Sequence, residues 1–263
     1  TPELPRAYFK DEYGLNADLY HHEGHYIAYL NGITMGGGYG VSAHGSHLIA
    51  TEATQFAMPE VKIGFFPDVG AVYHLARLPD EMGTYLALTG NTIGPADLLF
   101  TGLAEAFIPL DDFARLKDAL ANGGHPDEVL ASMDRPCEGE SLLAANIDVI
   151  ARCFAHDSAE AIVDALETQG SDFAKGAAVD IKARSPLSVK IALAHIRAAA
   201  KEDFDTIIAR DLRMALKFLE NADFAEGVRA AVLDKDRNPK WQHATLSAVL
   251  PENVGLYFKP STD

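Results

Sequence analysis

The stretch that most constrains this chain runs over residues 26–70: YIAYLNGITMGGGYGVSAHG, then SHLIATEATQFAMPEVKIG, then FFPDVG. Residues 26–30 are an apolar run rich in strand formers, and three consecutive glycines, Gly36, Gly37 and Gly38, follow shortly after. A small-residue helical pattern opens at about Gly37. A strand that ends in glycines and feeds a helix exposes backbone N–H groups at the positive end of a helix dipole. Glycine also lets a ligand oxygen approach that backbone closely. Such a site serves either a phosphate or the developing oxyanion of acyl chemistry. Two carboxylates further on choose between them. Glu60 in MPE and Asp68 in FPDVG lie eight residues apart, each after an apolar segment and beside a proline. Two acids at the mouth of a phosphate site would repel the ligand, whereas acyl chemistry uses them.

The rest of the composition narrows the class. At 263 residues the chain buries a substantial core, as one large or two modest domains. A formal net charge of −16 argues against general nucleic-acid binding, which depends on phosphate neutralisation. No apolar run reaches the roughly 18 residues that span a bilayer. The opening residues do not read as a secretory signal, and Cys137 and Cys153 do not make a disulfide framework. The expected compartment is the cytoplasm, or an organelle matrix in a eukaryote.

In chain order, residues 1–19 read as a loop end and an amphipathic helix with Tyr8, Phe9, Tyr13 and Leu15 on its apolar side. His21, His22 and His25 in HHEGH suggest a metal only superficially; they read as solvated loop histidines. Short strand-like pieces at 46–51 and 55–58, with turns and short helices between, predict a coiled β/β/α superhelix rather than a doubly wound sheet. Helices are expected over 69–77, 81–88 and 95–101, and a last strand over 103–108. From Leu110 the pattern is helical almost throughout: 110–122, 126–133, 141–154, 158–169, 173–184, 185–201, 203–220 and 224–235. Ser158 and Ser185-Pro186 supply N-terminal signals, and Gly90 and Gly170 supply stops. The fold class is therefore α/β over residues 1–109, followed by an all-helical region over 110–263, with no flexible linker between them.

At NGITMGGGYG and FAMPEVKIGFFPDVG the chain resembles the crotonase (enoyl-CoA hydratase/isomerase) superfamily, and within it the hydrolases of short branched β-hydroxyacyl-CoA thioesters. FKDEYGL near the start, LALTG at 86–90 and DFAEGVRAAVLDKDRNPKW at 223–241 extend the likeness over the whole chain. Enoyl-CoA hydratases of the family carry a glutamate two residues after the third glycine; Gly40 stands there. The resemblance implies a crotonase-like superhelix in which Glu60 and Asp68 are the catalytic acids, Gly37 is the second oxyanion N–H donor and Glu12 lines the acyl pocket. It implies an acyl-CoA substrate with no separate cofactor and no metal, a role in valine breakdown, and is compatible with a homo-oligomer. It covers roughly the C-terminal two-thirds to three-quarters of the family's length. The glycine-rich loop that supplies the first oxyanion donor has no counterpart in residues 1–6. A hydratase or isomerase of the same superfamily, and a non-catalytic acyl-CoA-binding fragment, are the alternatives.

Plainer roles stand beside each of these. The three glycines also suit close helix–strand packing. Asp68 also suits an N-cap for a helix starting at Val69, and Glu60 a solvated acid at a strand end. Lys175, Lys182, Arg184, Lys190, Arg197 and Lys201, set against Asp180 alone, form a basic run that reads first as a solvated helical face and second as a contact for CoA phosphates. Trp241 in NPKW reads as a packing anchor.

Overall fold

A computed structural model describes residues 3–259. Thr1 and Pro2, expected at the end of a loop, and residues 260–263 lie outside the described residues. The chain opens with helix α1, Glu3–Tyr20, which buries Phe9, Tyr13 and Asn16. That spacing of four and then three is one face of a helix. Tyr8 and Leu15, expected on the apolar side, are 59% and 47% exposed. The buried stripe is narrower than the sequence suggests: Phe9 stacks on Phe65, with ring centroids 5.7 Å apart, and Tyr13 is buried beside it.

Two turns of a coil follow. The first is β1 (Ile27–Leu30), β2 (Ile33–Met35) and α2 (Gly37–Ala43); the second begins with β3 (His47–Ala50) and β4 (Gln55–Ala57). β1 pairs in parallel with β3, Ile27 opposite His47, and β2 pairs in parallel with β4, Ile33 opposite Gln55. β5 (Ala106–Phe107) adds to β3, giving sheets in the orders β1-β3-β5 and β2-β4. Successive strands therefore stack rather than form hairpins, which is the β/β/α superhelix expected. The corners are held together by side chains: Thr54 Oγ1 donates to the Leu30 carbonyl at 2.5 Å, fastening the second turn to the first.

The helices are α3 (Ala71–Leu75), α4 (Met82–Thr89), α5 (Pro95–Thr101), α6 (Phe113–Ala121), α7 (Pro126–Met133), α8 (Leu142–Ala145), α9 (Ile147–Cys153), α10 (Ala159–Gln169), α11 (Asp172–Ala183), α12 (Pro186–Ala199), α13 (Phe204–Phe218), α14 (Ala222–Val228) and α15 (Pro251–Phe258). Ser158 and Ser185 cap their helices through the side-chain oxygen, and Gly90 and Gly170 end theirs in the left-handed region. Four expectations need correction. The strand expected over 103–108 contracts to two residues. The helix expected over 141–154 breaks at Asn146, which ends α8 and opens α9 with φ −122°. The helix over 224–235 gives way after Val228 to a π turn over Arg229–Leu233. The helix over 69–77 starts only at Ala71, because Val69 (φ 54°) and Gly70 (φ 72°) are both left-handed.

One apolar cluster joins residues of the coil, such as Phe56, Met58, Phe66 and Leu88, to Ile162, Ile181, Leu193 and Phe218 of the helical region. α1 packs on α13 and α2, and this sandwich places the glycine segment, the Glu60 turn and the Asp68 turn side by side. No helix among the described residues is long and apolar enough to cross a membrane.

Candidate active site

The glycine segment turns the chain from β2 into α2. Gly36 adopts φ 52° and ψ −126°, a conformation open essentially to glycine alone. The Gly36 carbonyl accepts from Tyr39 and Gly40 N–H, at 2.9 and 3.0 Å, while the N–H groups of Gly37 and Gly38, at the very start of the helix, have no acceptor within it. Side chains crowd this backbone. A methyl group on Gly36 would lie 3.2 Å from Glu60 Oε1, and one on Gly37 would lie 2.6 Å from Glu12 Oε1. Glu12 and Glu60 therefore reach the two glycines directly, although they come from α1 and from a turn beyond β4.

Glu60 opens a short 3₁₀ turn, Glu60–Ile63, just after β4. It is only 5% exposed, and its Oε2 has no hydrogen-bond partner. The plainer expectation of a solvated acid at a strand end is thereby corrected. Burial, and then the charge of Asp68, push its carboxyl well above the usual range. Asp68 is likewise buried, at 6% exposure. Burial raises its carboxyl to about 8; the Tyr13 hydroxyl opposes the shift, and the charges of Asp211 and Glu12 add to it. Tyr13 Oη donates to Asp68 Oδ2 at 2.5 Å. The N-cap reading of Asp68 is corrected too, because α3 takes Gly70 as its N-cap and accepts no side-chain cap. Glu60 and Asp68 thus share a buried space in which both cannot easily be ionised together, and they titrate as a pair. Glu12, half-buried, is raised by burial, and the nearby Tyr8 hydroxyl opposes the shift.

Of the four residues singled out in the sequence, Gly37, Glu12, Glu60 and Asp68 all converge here. Tyr13 was read only as part of an apolar face, yet it holds Asp68. Its hydroxyl becomes informative only once α1 is known to lie against the Asp68 turn. Gly40 is tightly enclosed: a methyl group there would lie 2.7 Å from Val69 Cβ and 3.1 Å from Asn16 Nδ2. The left-handed Val69 is a further departure, since a β-branched residue in that region costs about 1–3 kcal/mol.

The basic run is dispersed by the fold. Lys182 pairs with Glu167, Arg184 with Asp180, Lys190 with Glu160 and Arg197 with Glu81. The acids that answer these cations sit mostly on other helices, so a count along the run missed them. Trp241 is half-buried and donates its indole N–H to the Ala183 carbonyl at 3.3 Å. His21 pairs with Asp205 at 2.8 Å, and no group of three or more His, Cys, Asp or Glu side chains among the described residues is placed to hold a metal. A surface cavity of about 500 Å3, bounded by Glu52, Phe107, Arg135 and Cys137, lies apart from the carboxylate pair and has no comparable buried acids.

Residues 1–258 match the family model described as enoyl-CoA hydratase/isomerase. The chain is 37% identical to the mitochondrial 3-hydroxyisobutyryl-CoA hydrolase of Homo sapiens, over 98% of this chain and 69% of that protein. It is 38% identical to 3-hydroxyisobutyryl-CoA hydrolase 1 of Arabidopsis thaliana, over 97% of this chain and 71% of that protein. Among solved structures, a carnitinyl-CoA dehydratase from Mycobacterium thermoresistibile superposes with a TM-score of 0.91 at 36% identity, covering 98% of this chain and 74% of its own.

Proposed function

The chain belongs to the enoyl-CoA hydratase/isomerase (crotonase) family, and from that premise we propose that it hydrolyses a short branched β-hydroxyacyl-CoA thioester, 3-hydroxyisobutyryl-CoA, to the free acid and CoA. The observation that carries this reading is the buried Glu60–Asp68 pair beside Gly37, in a chain more than a third identical to named hydrolases of that thioester. The thioester carbonyl oxygen would lie at Gly37 N–H, where the helix start favours the negative charge that develops on it. Attack forms a carbon–oxygen bond and expels the CoA thiolate. Burial holds protons on both carboxyls, so the state in which one member is a base while the other still donates gains population as pH rises. Glu60 supplies the carboxylate, either drawing a proton from water or attacking the carbonyl to give a mixed anhydride that water then opens. Asp68, steadied by Tyr13, holds the substrate hydroxyl through its carboxylate or shares proton transfer with Glu60. Glu12 lines the acyl end of the pocket.

The reaction so read needs no metal or redox group, and CoA enters as part of the substrate. A homo-oligomer is part of the same proposal, as is a matrix location in a eukaryotic cell, since the human relative is described as mitochondrial. A second reading, a lyase that adds or removes water, is favoured by the likeness to the carnitinyl-CoA dehydratase and to an enoyl-CoA hydratase from Rhodobacter sphaeroides 2.4.1, which is 32% identical with a TM-score of 0.89. The enclosed Gly40 weighs against it, because the space a second glutamate would need is filled by Val69 and Asn16. A single turnover in H₂¹⁸O followed by mass spectrometry of Glu60 tests the covalent route together with borohydride trapping: label in its side chain, or its reduction to the alcohol, supports the anhydride, and label in the product alone with no trapped Glu60 supports the base.

A further inference from the structure

The turn carrying Asp68 is held in a conformation its own sequence does not favour, and the structure contains what holds it. Val69 and Gly70 are consecutive left-handed residues, and Val69 has a branched side chain. The peptide unit between them is gripped on both sides. His44, 6% exposed at the end of α2, places Nε2 2.8 Å from the Val69 carbonyl oxygen. Asp211, fully buried on α13, accepts from the Gly70 N–H through Oδ2, also at 2.8 Å. We infer that His44 and Asp211 are positioning residues, a clamp on the Val69–Gly70 peptide that aims Asp68 at the reacting thioester. The inference rests on the hydrolase reading for its catalytic part only.

Each jaw is itself fixed in orientation. A carbonyl oxygen accepts, so His44 must carry its proton on Nε2 and leave Nδ1 as an acceptor. His74 Nε2 lies 3.1 Å from that Nδ1 and donates to it. Burial holds both rings neutral: His44 is lowered to about 4 and His74 to about 3. On the other side, Asp211 Oδ1 accepts from His195 Nε2 at 2.7 Å, and His195 Nδ1 accepts from Arg210 Nε at 3.0 Å. Arg210 then donates to Glu202 at 2.8 Å. The proton positions along this chain are thus determined from Gly70 to Glu202. The array joins the helical region to the catalytic turn across 141 residues of sequence.

Asp211 has a second effect, through charge. Asp68 faces Tyr13 and Glu12 from α1, Glu60 from the 3₁₀ turn and Asp211 from α13, and Asp211 is among the negative groups that hold its proton on. Removing that charge lets Asp68 ionise at lower pH. A residue that merely supports packing would not move that titration.

The test compares His44→Phe, His44→Gln, Asp211→Ala and Asp211→Asn with the unaltered protein. Three quantities are read: amide hydrogen exchange at Gly70, kcat and KM for 3-hydroxyisobutyryl-CoA, and the pH dependence of kcat. His44→Phe and Asp211→Ala are expected to speed Gly70 exchange and lower kcat by about tenfold each, the scale of one lost hydrogen bond, with KM changed less than about threefold. His44→Gln keeps an N–H for the Val69 oxygen and should recover most of the loss. In Asp211→Asn the rise of kcat with pH should move to lower pH. Wild-type exchange and kcat in both truncations, or an unshifted profile in Asp211→Asn, would overturn the clamp. If either truncation unfolds, the folded His44→Gln decides: a protected Gly70 supports the clamp and an unprotected one contradicts it. An unaltered protein without hydrolase activity would instead sink the functional reading, and the exchange data would still judge the clamp.

Discussion

Glu60 and Asp68 pay for their reactivity in stability, because neither can hold a charge comfortably at 5–6% exposure. Glu60→Gln and Asp68→Asn keep the shape of each side chain, so the fold should survive while hydrolysis falls by about 10²–10⁴-fold, as measured by thiol release. The pH dependence follows from the same burial. With Asp68 at about 8, the working carboxylate form gains population as pH rises, so kcat should climb through pH 8 before levelling. Tyr13→Phe removes the donor that favours ionised Asp68. Its rise should therefore come at higher pH, with kcat at pH 7 reduced about three- to tenfold. A Tyr13→Phe profile superimposable on the unaltered one would show that this hydrogen bond does not govern the pair.

At the scale of elements, the superhelix was readable because its turns are marked locally. Strand formers end at Asn31-Gly32, Ser158 and Ser185 open helices by a rule of one residue, and Gly90 and Gly170 close them. The carboxylate pair was readable as two acids beside prolines, but its burial was not, because burial depends on α1 and α13 packing over the turns. The late start of α3, at Ala71 rather than Val69, was not legible for a related reason. The left-handed Val69 and Gly70 are stabilised by His44 and Asp211, which lie far away in sequence. Gly40 shows the same coupling between elements: α2 can approach the Asp68 turn only because residue 40 has no side chain. Gly40→Ala should cost about 1–3 kcal/mol in denaturant unfolding, the usual penalty of overpacking. Gly40→Glu should not confer hydration of crotonyl-CoA, since its carboxylate would have to displace Val69 and Asn16. Efficient hydration by that variant would show that the turn yields more readily than its geometry indicates.

Over the whole molecule, a single apolar cluster spans the coil and the later helices, so strain at the site is borne by the entire fold. That makes global stability a reporter of the carboxylates. An aspartate has an ordinary pKa near 3.9 when unfolded, while folded Asp68 is raised to about 8. Between these values the folded state binds more protons than the unfolded one, so stability is lost as pH rises and is flat again above about 8. Asp68→Asn removes that term. Its Tm should match the unaltered protein near pH 4 and exceed it by at least about 2 °C at pH 8; a constant difference would mean that Asp68 is not the group being titrated. The central claim is tested most directly by one assay of the protein with 3-hydroxyisobutyryl-CoA and crotonyl-CoA, following free thiol and enoyl absorbance together. The account predicts thiol release from the hydroxyacyl thioester that disappears in Glu60→Gln, with no appreciable loss of enoyl absorbance. Rapid hydration of crotonyl-CoA without thiol release from either substrate would contradict it.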